Sequence, residues 1–163
     1  MSSFMSSSFT VSGHVIVAGF GVPGRVVADL LESRGLKYCV IELNPSTCER
    51  CQRGGVPIHA GDVTDPKVLR EAGIERASLF VVAIPDEKAA LEATRQGRLL
   101  NPNVRIITRC HFTSAGFEAK RHGADAVVIA EQVVAEELAV VVSDRLPDAQ
   151  GLEASESIRP RVT

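Results

Sequence analysis

Six short, largely β-branched runs, VIVAGF, YCVIEL, VPIHAG, LFVVAI, VRIITRC and DAVVIA, recur along the chain with a helix-like segment after each. Most are continuously apolar rather than alternating, the pattern of strands buried on both faces. Helices between such strands act as crossovers and cover the sheet on either side. The order therefore predicts a three-layer, Rossmann-like, doubly wound α/β fold with a six-stranded parallel sheet in a single domain. The helices are expected from the glycine-rich turn to Arg34, from Pro45 to about Arg53, from Pro66 to Ala72, from Asp86 to Leu100, from about Ser114 to His122, and from about Gln132 onward. Asn44-Pro45 and Asp65-Pro66 each pair a cap with a proline at the first helical position, and Asn101-Pro102 ends the fourth helix.

The first strand runs into Gly19-Phe20-Gly21-Val22-Pro23-Gly24, a G-x-G-x-x-G that follows a strand and opens a helix. Gly19 suits the tight turn, Gly21 lets the backbone approach a pyrophosphate, and Gly24 lets the helix pack closely on the strand. The free N–H groups and positive dipole end of that helix then face the phosphates, and Pro23 costs no hydrogen bond there. Glu42 ends the second strand, eighteen residues after Gly24, where a carboxylate accepts hydrogen bonds from ribose hydroxyls and repels a 2′-phosphate. Leu43-Asn44-Pro45 follows with no arginine, so NAD(H) or an adenine nucleotide (ATP, ADP or AMP) is favoured and NADP disfavoured.

Composition narrows the classes further. With 163 residues, 45% hydrophobic and 23% charged, the chain has the size and make-up of one globular domain. A net charge of -2 supplies no positive field for nucleic acid or anionic lipid. The longest apolar run, Leu79 to Ile84, is far shorter than the roughly 20 residues of a membrane-spanning helix. The Ser-rich start has neither a basic nor an apolar segment of a secretory signal. Residues 1–12 are expected to form a flexible leader, 13–146 the nucleotide-binding domain, and 147–163 a flexible tail, in a cytoplasmic protein. Cys39, Cys48, Cys51 and Cys110 then lie in a reducing compartment; Cys48 and Cys51 fall one helical turn apart, and no zinc-ligand pattern completes them, so no metal is expected.

Five segments together resemble the TrkA-N domain, also called KTN or the RCK-type regulator of potassium conductance: VIVAGFGVPG, VIELNP, HAGDVTDPKVLREAGIERASLFVVAIPDEKAAL, TRQGRLLNPNVRIITRC and HGADAVVIAEQVVAEELA. They cover nearly all of residues 14–146. The resemblance implies a cytosolic nucleotide-sensing domain that gates a potassium channel, a transporter or a Kef-type antiporter, with the pore subunit as partner and a place at the inner membrane through it.

Carried onto this sequence, the resemblance puts Asp62 and Val63 at the adenosine end beside Glu42 and Leu43. It has the backbone of Ala83, Ile84 and Pro85 line the ribose and phosphate crevice, Arg109 reach the phosphates, and Glu131 end the sixth strand near the site. Asp62 equally suits a turn, Arg109 a surface ion pair, and Asp86 a helix N-cap. The chain departs from the family in three respects. Val22 stands where many members have arginine, leaving Arg25 or Arg109 to supply that contact. Thr108 and Cys110 stand where calcium-gated members have carboxylates. The family's C-terminal ligand-binding domain has no counterpart within these 163 residues.

No catalytic residue is expected. A dehydrogenase needs a second surface to hold substrate against the nicotinamide and a positioned acid or base, and His111 is the one histidine near the predicted crevice. The alternatives are a small NAD-dependent oxidoreductase, or its cofactor-binding fragment, and a redox sensor using Cys48 and Cys51. The final helix, EQVVAEELAVVVSDRL, is apolar over more than half its circumference, which predicts a homodimer, or a higher ring, through residues 133–146.

Overall fold

The structure, a computed structural model, describes residues 13–147. The leader expected over 1–12, and all of the expected tail after Pro147, lie outside the described residues. The first of two compact units ends at Ala130. It holds strands β1 (Val15–Ala18), β2 (Tyr38–Glu42), β3 (Ile58–Ala60), β4 (Leu79–Val82), β5 (Arg105–Cys110) and β6 (Ala126–Ile129). Between them run helices α1 (Val22–Ser33), α2 (Pro45–Arg53), α3 (Pro66–Glu71), α4 (Glu87–Leu100) and α5 (Thr113–Arg121). A 3-10 turn at Ile74–Arg76, which the residue pattern did not signal, follows α3.

All strands are parallel in the order β3-β2-β1-β4-β5-β6, so the winding reverses between β1 and β4. This is the doubly wound Rossmann-like sheet expected from the strand and helix order. The four residues of β1 are wholly buried because both neighbours and both helical layers cover them. Each Val or Ile so buried contributes about 1.5–3 kcal/mol. Alternation within the strands divides the core: Ile16, Ala18, Ile41, Phe80, Val82 and Ile106 join the apolar residues of α3, α4 and α5, whereas Val15, Val17, Val40 and Val81 join Leu31 of α1. Thr108 is completely buried on the first of these faces, its hydroxyl 2.8 Å from that of Thr94 on α4.

Caps set the helix limits. Asn44 accepts from the Thr47 N–H, Asp65 from Lys67 and Asp86 from Ala89, each one residue before its helix. The last helix, α6 (Ala130–Ser143), begins directly after β6, two residues earlier than the pattern suggests. All but its first residue lies in the second unit. None of its residues is buried: Val133, Val134, Leu138, Val140, Val141 and Val142 are all exposed. Among the described residues no helix is long and apolar enough to cross a membrane.

Candidate functional site

A cavity of about 470 Å³ opens at the carboxyl ends of the strands, beside the point where the winding reverses. Open α/β sheets bind ligands there, and the size falls within the roughly 300–1,000 Å³ of small-molecule pockets. Gly19, Phe20 and Gly21 form one wall; Ile41, Glu42, Leu43, Asn44 and Pro45, from the end of β2, form the next. Gly61, Asp62 and Val63 after β3, and Ile84, Pro85, Asp86 and Ala89 after β4, complete it.

The three glycines of the turn differ in what holds them. Gly19 has φ 93°, and a Cβ on it would lie 2.9 Å from Ile84 Cγ2. A Cβ on Gly24 would lie 1.9 Å from the Gly19 carbonyl oxygen, so this glycine is what allows α1 to close on β1. Gly21 has φ -71°, and a Cβ there meets nothing nearer than Pro23 Cδ at 4.0 Å. The fold therefore does not require glycine at 21. A ligand brought against the backbone does, so the cradle fits a phosphate-bearing nucleotide. The first N–H groups of α1 have no partner inside the helix and would hold those phosphates.

Glu42 is fixed from two sides. Its Oε2 accepts the Phe20 N–H at 2.8 Å and its Oε1 the Asn44 N–H at 2.9 Å, tying the glycine-rich turn to the end of β2. A carboxylate has about four lone-pair positions, so two remain for the hydroxyls of a ribose. Asp62 does both things considered for it: its Oδ1 accepts the Thr64 N–H and hydroxyl to form a turn, and the residue lines the cavity. Asp86 likewise is both the cap of α4 and part of the wall.

Of the candidate residues, Gly19, Phe20, Gly21, Glu42, Leu43, Asp62, Val63, Ile84 and Pro85 are brought together around the cavity. Val22, Pro23, Gly24, Ala83 and Arg109 are not on its wall. Val22 is 67% exposed, Pro23 is exposed and Gly24 and Ala83 are buried. The Arg109 Nη1–H points to the Ile84 carbonyl at 3.5 Å, the outer limit of a hydrogen bond. Glu131 lies in the first turn of α6. Residue reasoning did not single out Ile41, Asn44, Pro45, Gly61, Asp86 and Ala89 as wall residues; their position at strand ends or at the helix starts that follow was the available signal, and caps sit in the same loops as ligands.

Cys48 and Cys51 are both buried on α2. Burial first, and the Glu42 carboxylate after it, raise the Cys48 thiol; burial also raises Cys51, against the lowering effect of Arg50. Such thiols are poor nucleophiles at neutral pH. Among the described residues no group of three or more His, Cys, Asp or Glu is placed to hold a metal ion.

The TrkA-N domain profile matches residues 15–130, the whole first unit from β1 onward. The chain belongs to the TrkA-N family. Over 115 residues it is 33% identical to the putative K(+) efflux antiporter KefB of Alkalimonas amylolytica, covering 71% of this chain and 17% of that protein. Over 96 residues it is 37% identical to the glutathione-regulated potassium-efflux system protein KefC of Cronobacter sakazakii, covering 59% and 16%. The chain thus spans less than a fifth of the length of these relatives. Among solved structures, the TrkA-N domain of the inner membrane protein ybaL from Escherichia coli superposes with a TM-score of 0.76 at 24% identity, over 79% of this chain and 96% of that one. GsuK bound to ADP gives 0.74 at 26% identity, over 82% and 35%.

Proposed function

We propose that this TrkA-N chain is a nucleotide-operated regulator of a potassium channel, transporter or Kef-type antiporter, and that it works by binding without turnover. The observation that carries the nucleotide reading is Gly21, a glycine the fold leaves free, facing a cavity walled by Glu42. The Kef antiporter relatives and the ADP-bound GsuK structure support both the ligand class and the partner. The ligand is NAD(H) or an adenine nucleotide held by Gly19, Phe20, Gly21, Glu42, Leu43, Asp62, Val63, Ile84 and Pro85, with Val22, Pro23, Gly24, Ala83 and Arg109 behind them. NADP is disfavoured by the Glu42 charge.

Binding rather than catalysis follows from how the wall is built. Each of its three carboxylates, Glu42, Asp62 and Asp86, already accepts a backbone N–H. Carboxylates fixed in this way stand as oriented acceptors for ribose hydroxyls. A ligand that binds one conformation better than another then biases the attached or docked pore by that difference. The domain, over residues 13–146, would sit on the cytoplasmic side beneath its membrane partner. The apolar α6, exposed all round, would pair two copies and permit rings.

A thermal-shift panel of NAD, NADH, NADP, ATP, ADP and AMP tests this reading. A ligand at 100 times its Kd stabilises by about 2.7 kcal/mol, which for a chain of this size raises Tm by roughly 5–11 °C. NADP protecting best, or NADH or ATP consumed at roughly 1 per second or faster, would overturn it.

A further inference from the structure

Another cavity, of about 250 Å³, opens where α1 faces α2. Phe20, Val56 and Cys51 line it, and Arg25, Thr47 and Arg50 complete the wall. Phe20 is the one residue it shares with the nucleotide cavity; Gly21, Glu42 and Asp62 line that one alone. Phe20 and Val56 also pack against the core cluster that holds Leu31, so the smaller cavity has an apolar floor. Its rim is cationic. Arg25 stands in the first turn of α1 and Arg50 in the second turn of α2. Among the described residues neither makes an ion pair: on α2 Glu49 lies 3.5 Å from Arg53 instead, and no Asp or Glu is on the wall. Arg50 donates one N–H to the Thr47 hydroxyl at 3.3 Å, which leaves most of the donors of its guanidinium for another partner. Both charges act on the same buried sulfur: burial raises the Cys51 thiol, while Arg50 from one helix and Arg25 from the other draw it down. The two guanidinium groups thus converge on this cavity from separate helices.

We propose that this cavity is a second anion site, separate from the nucleotide seat, which takes a small phosphate monoester, its phosphate between Arg25 and Arg50 and its organic part on Phe20 and Val56. Size and charge argue for that class. The volume of about 250 Å³ is below the roughly 300–1,000 Å³ of pockets for drug-sized ligands. At about 30 Å³ per water molecule in the liquid it equals roughly eight waters, which suits a phosphate with one small ring rather than a whole nucleotide. A phosphate monoester carries a charge of about −1.5 to −2 at pH 7 and three acceptor oxygens, which matches two guanidinium forks; a carboxylate, with one charge, fills a single fork. The apolar floor then favours an ester over the bare ion. The site stands on these residues whether or not the larger cavity holds a nucleotide.

The test is titration of the full chain at constant ionic strength with phenyl phosphate, inorganic phosphate and benzoate, followed by NMR of the Arg25 and Arg50 Nε–H signals and repeated with saturating ADP. Phenyl phosphate should shift both signals along one saturable curve, bind at least threefold tighter than the other two anions, and keep its Kd within threefold when ADP is present. Arg50→Gln, at an exposed position, should weaken phenyl phosphate by roughly tenfold or more and leave ADP binding within threefold. Shifts that never saturate, or Arg50→Gln binding phenyl phosphate as tightly as the unaltered chain, overturn the site. Displacement of phenyl phosphate by ADP overturns it too, by showing the phosphate in the nucleotide's own seat. Benzoate or inorganic phosphate binding as tightly as phenyl phosphate overturns the ligand class. A chain that binds phenyl phosphate as expected but not ADP refutes the nucleotide reading and supports this site.

Discussion

Gly21 and Gly24 stand three residues apart in one motif, yet substituting them should damage different properties. In Gly24→Ala the new methyl would sit 1.9 Å from the Gly19 carbonyl oxygen and 2.9 Å from its carbon. A relaxed C···O contact is about 3.3 Å, so α1 or the turn must retreat by roughly 1.4 Å. Neither is free to do so: α1 buries Ala28 and Leu31, and Gly19 is held at φ 93°. Overpacking of this kind costs about 3 kcal/mol at the upper end of its usual range. Alanine returns about 1 kcal/mol through its better helix propensity. The net loss of about 2 kcal/mol lowers Tm by roughly 4–8 °C. In Gly21→Val the new Cβ meets nothing nearer than Pro23 Cδ at 4.0 Å, φ -71° and ψ -168° are open to any residue, and the position is the N-cap of α1. The weaker cap costs about 1 kcal/mol, partly offset by a stiffer unfolded chain, so Tm should move by no more than about 4 °C. Its side chain should instead occupy the space proposed for the phosphates, and a loss of about 3 kcal/mol in binding is a factor of more than ~100 in Kd. Melting by circular dichroism and calorimetry with ADP separate the two. Gly21→Val binding ADP within threefold of the unaltered chain, or Gly24→Ala melting no lower, would refute the division of labour.

Glu42→Ala removes the shared acceptor of the Phe20 and Asn44 N–H groups; it should cost about 1–3 kcal/mol in stability and bring the preference for NAD over NADP close to unity, read by thermal shift with both ligands. All four cysteines are buried, and burial lifts Cys39 to about 11 from an ordinary 9.0. The unfolded thiol therefore ionises first, so the stabilisation is complete below pH 9 and is lost as the pH climbs through 11; Cys39→Ala should flatten the fall in Tm over that window. At pH 8 a thiol reagent should label none of the four in the folded protein and all four in denaturant, and rapid native labelling of Cys48 or Cys51 would revive the redox-sensor reading. Replacing Val141 and Val142 together by Glu should convert a dimer to a monomer in light scattering at micromolar concentration, and a monomeric unaltered chain would contradict pairing through α6.

Much of the fold was legible because its causes are local. Continuous apolar strands, Asn44 and Asp65 before prolines, and a glycine turn after the first strand each report physics acting within a few residues, and they mark the six strands and the main helices to within about two positions. The cradle was legible for the same reason: Gly19, Gly21 and Gly24 form one contiguous motif. What Gly21 and Gly24 do separately was not, since both are glycine and only the approach of the Gly19 carbonyl to position 24, and the empty space beside position 21, tells them apart. The hold of Glu42 on Phe20, and the bonds from His111 to Pro85 and Glu87, join residues more than twenty positions apart. Sequence supplies the donors and acceptors for such contacts. Their pairing is set by the parallel register that brings the ends of β1, β2, β4 and β5 to one edge, and register is a property of the packed sheet rather than of any single segment.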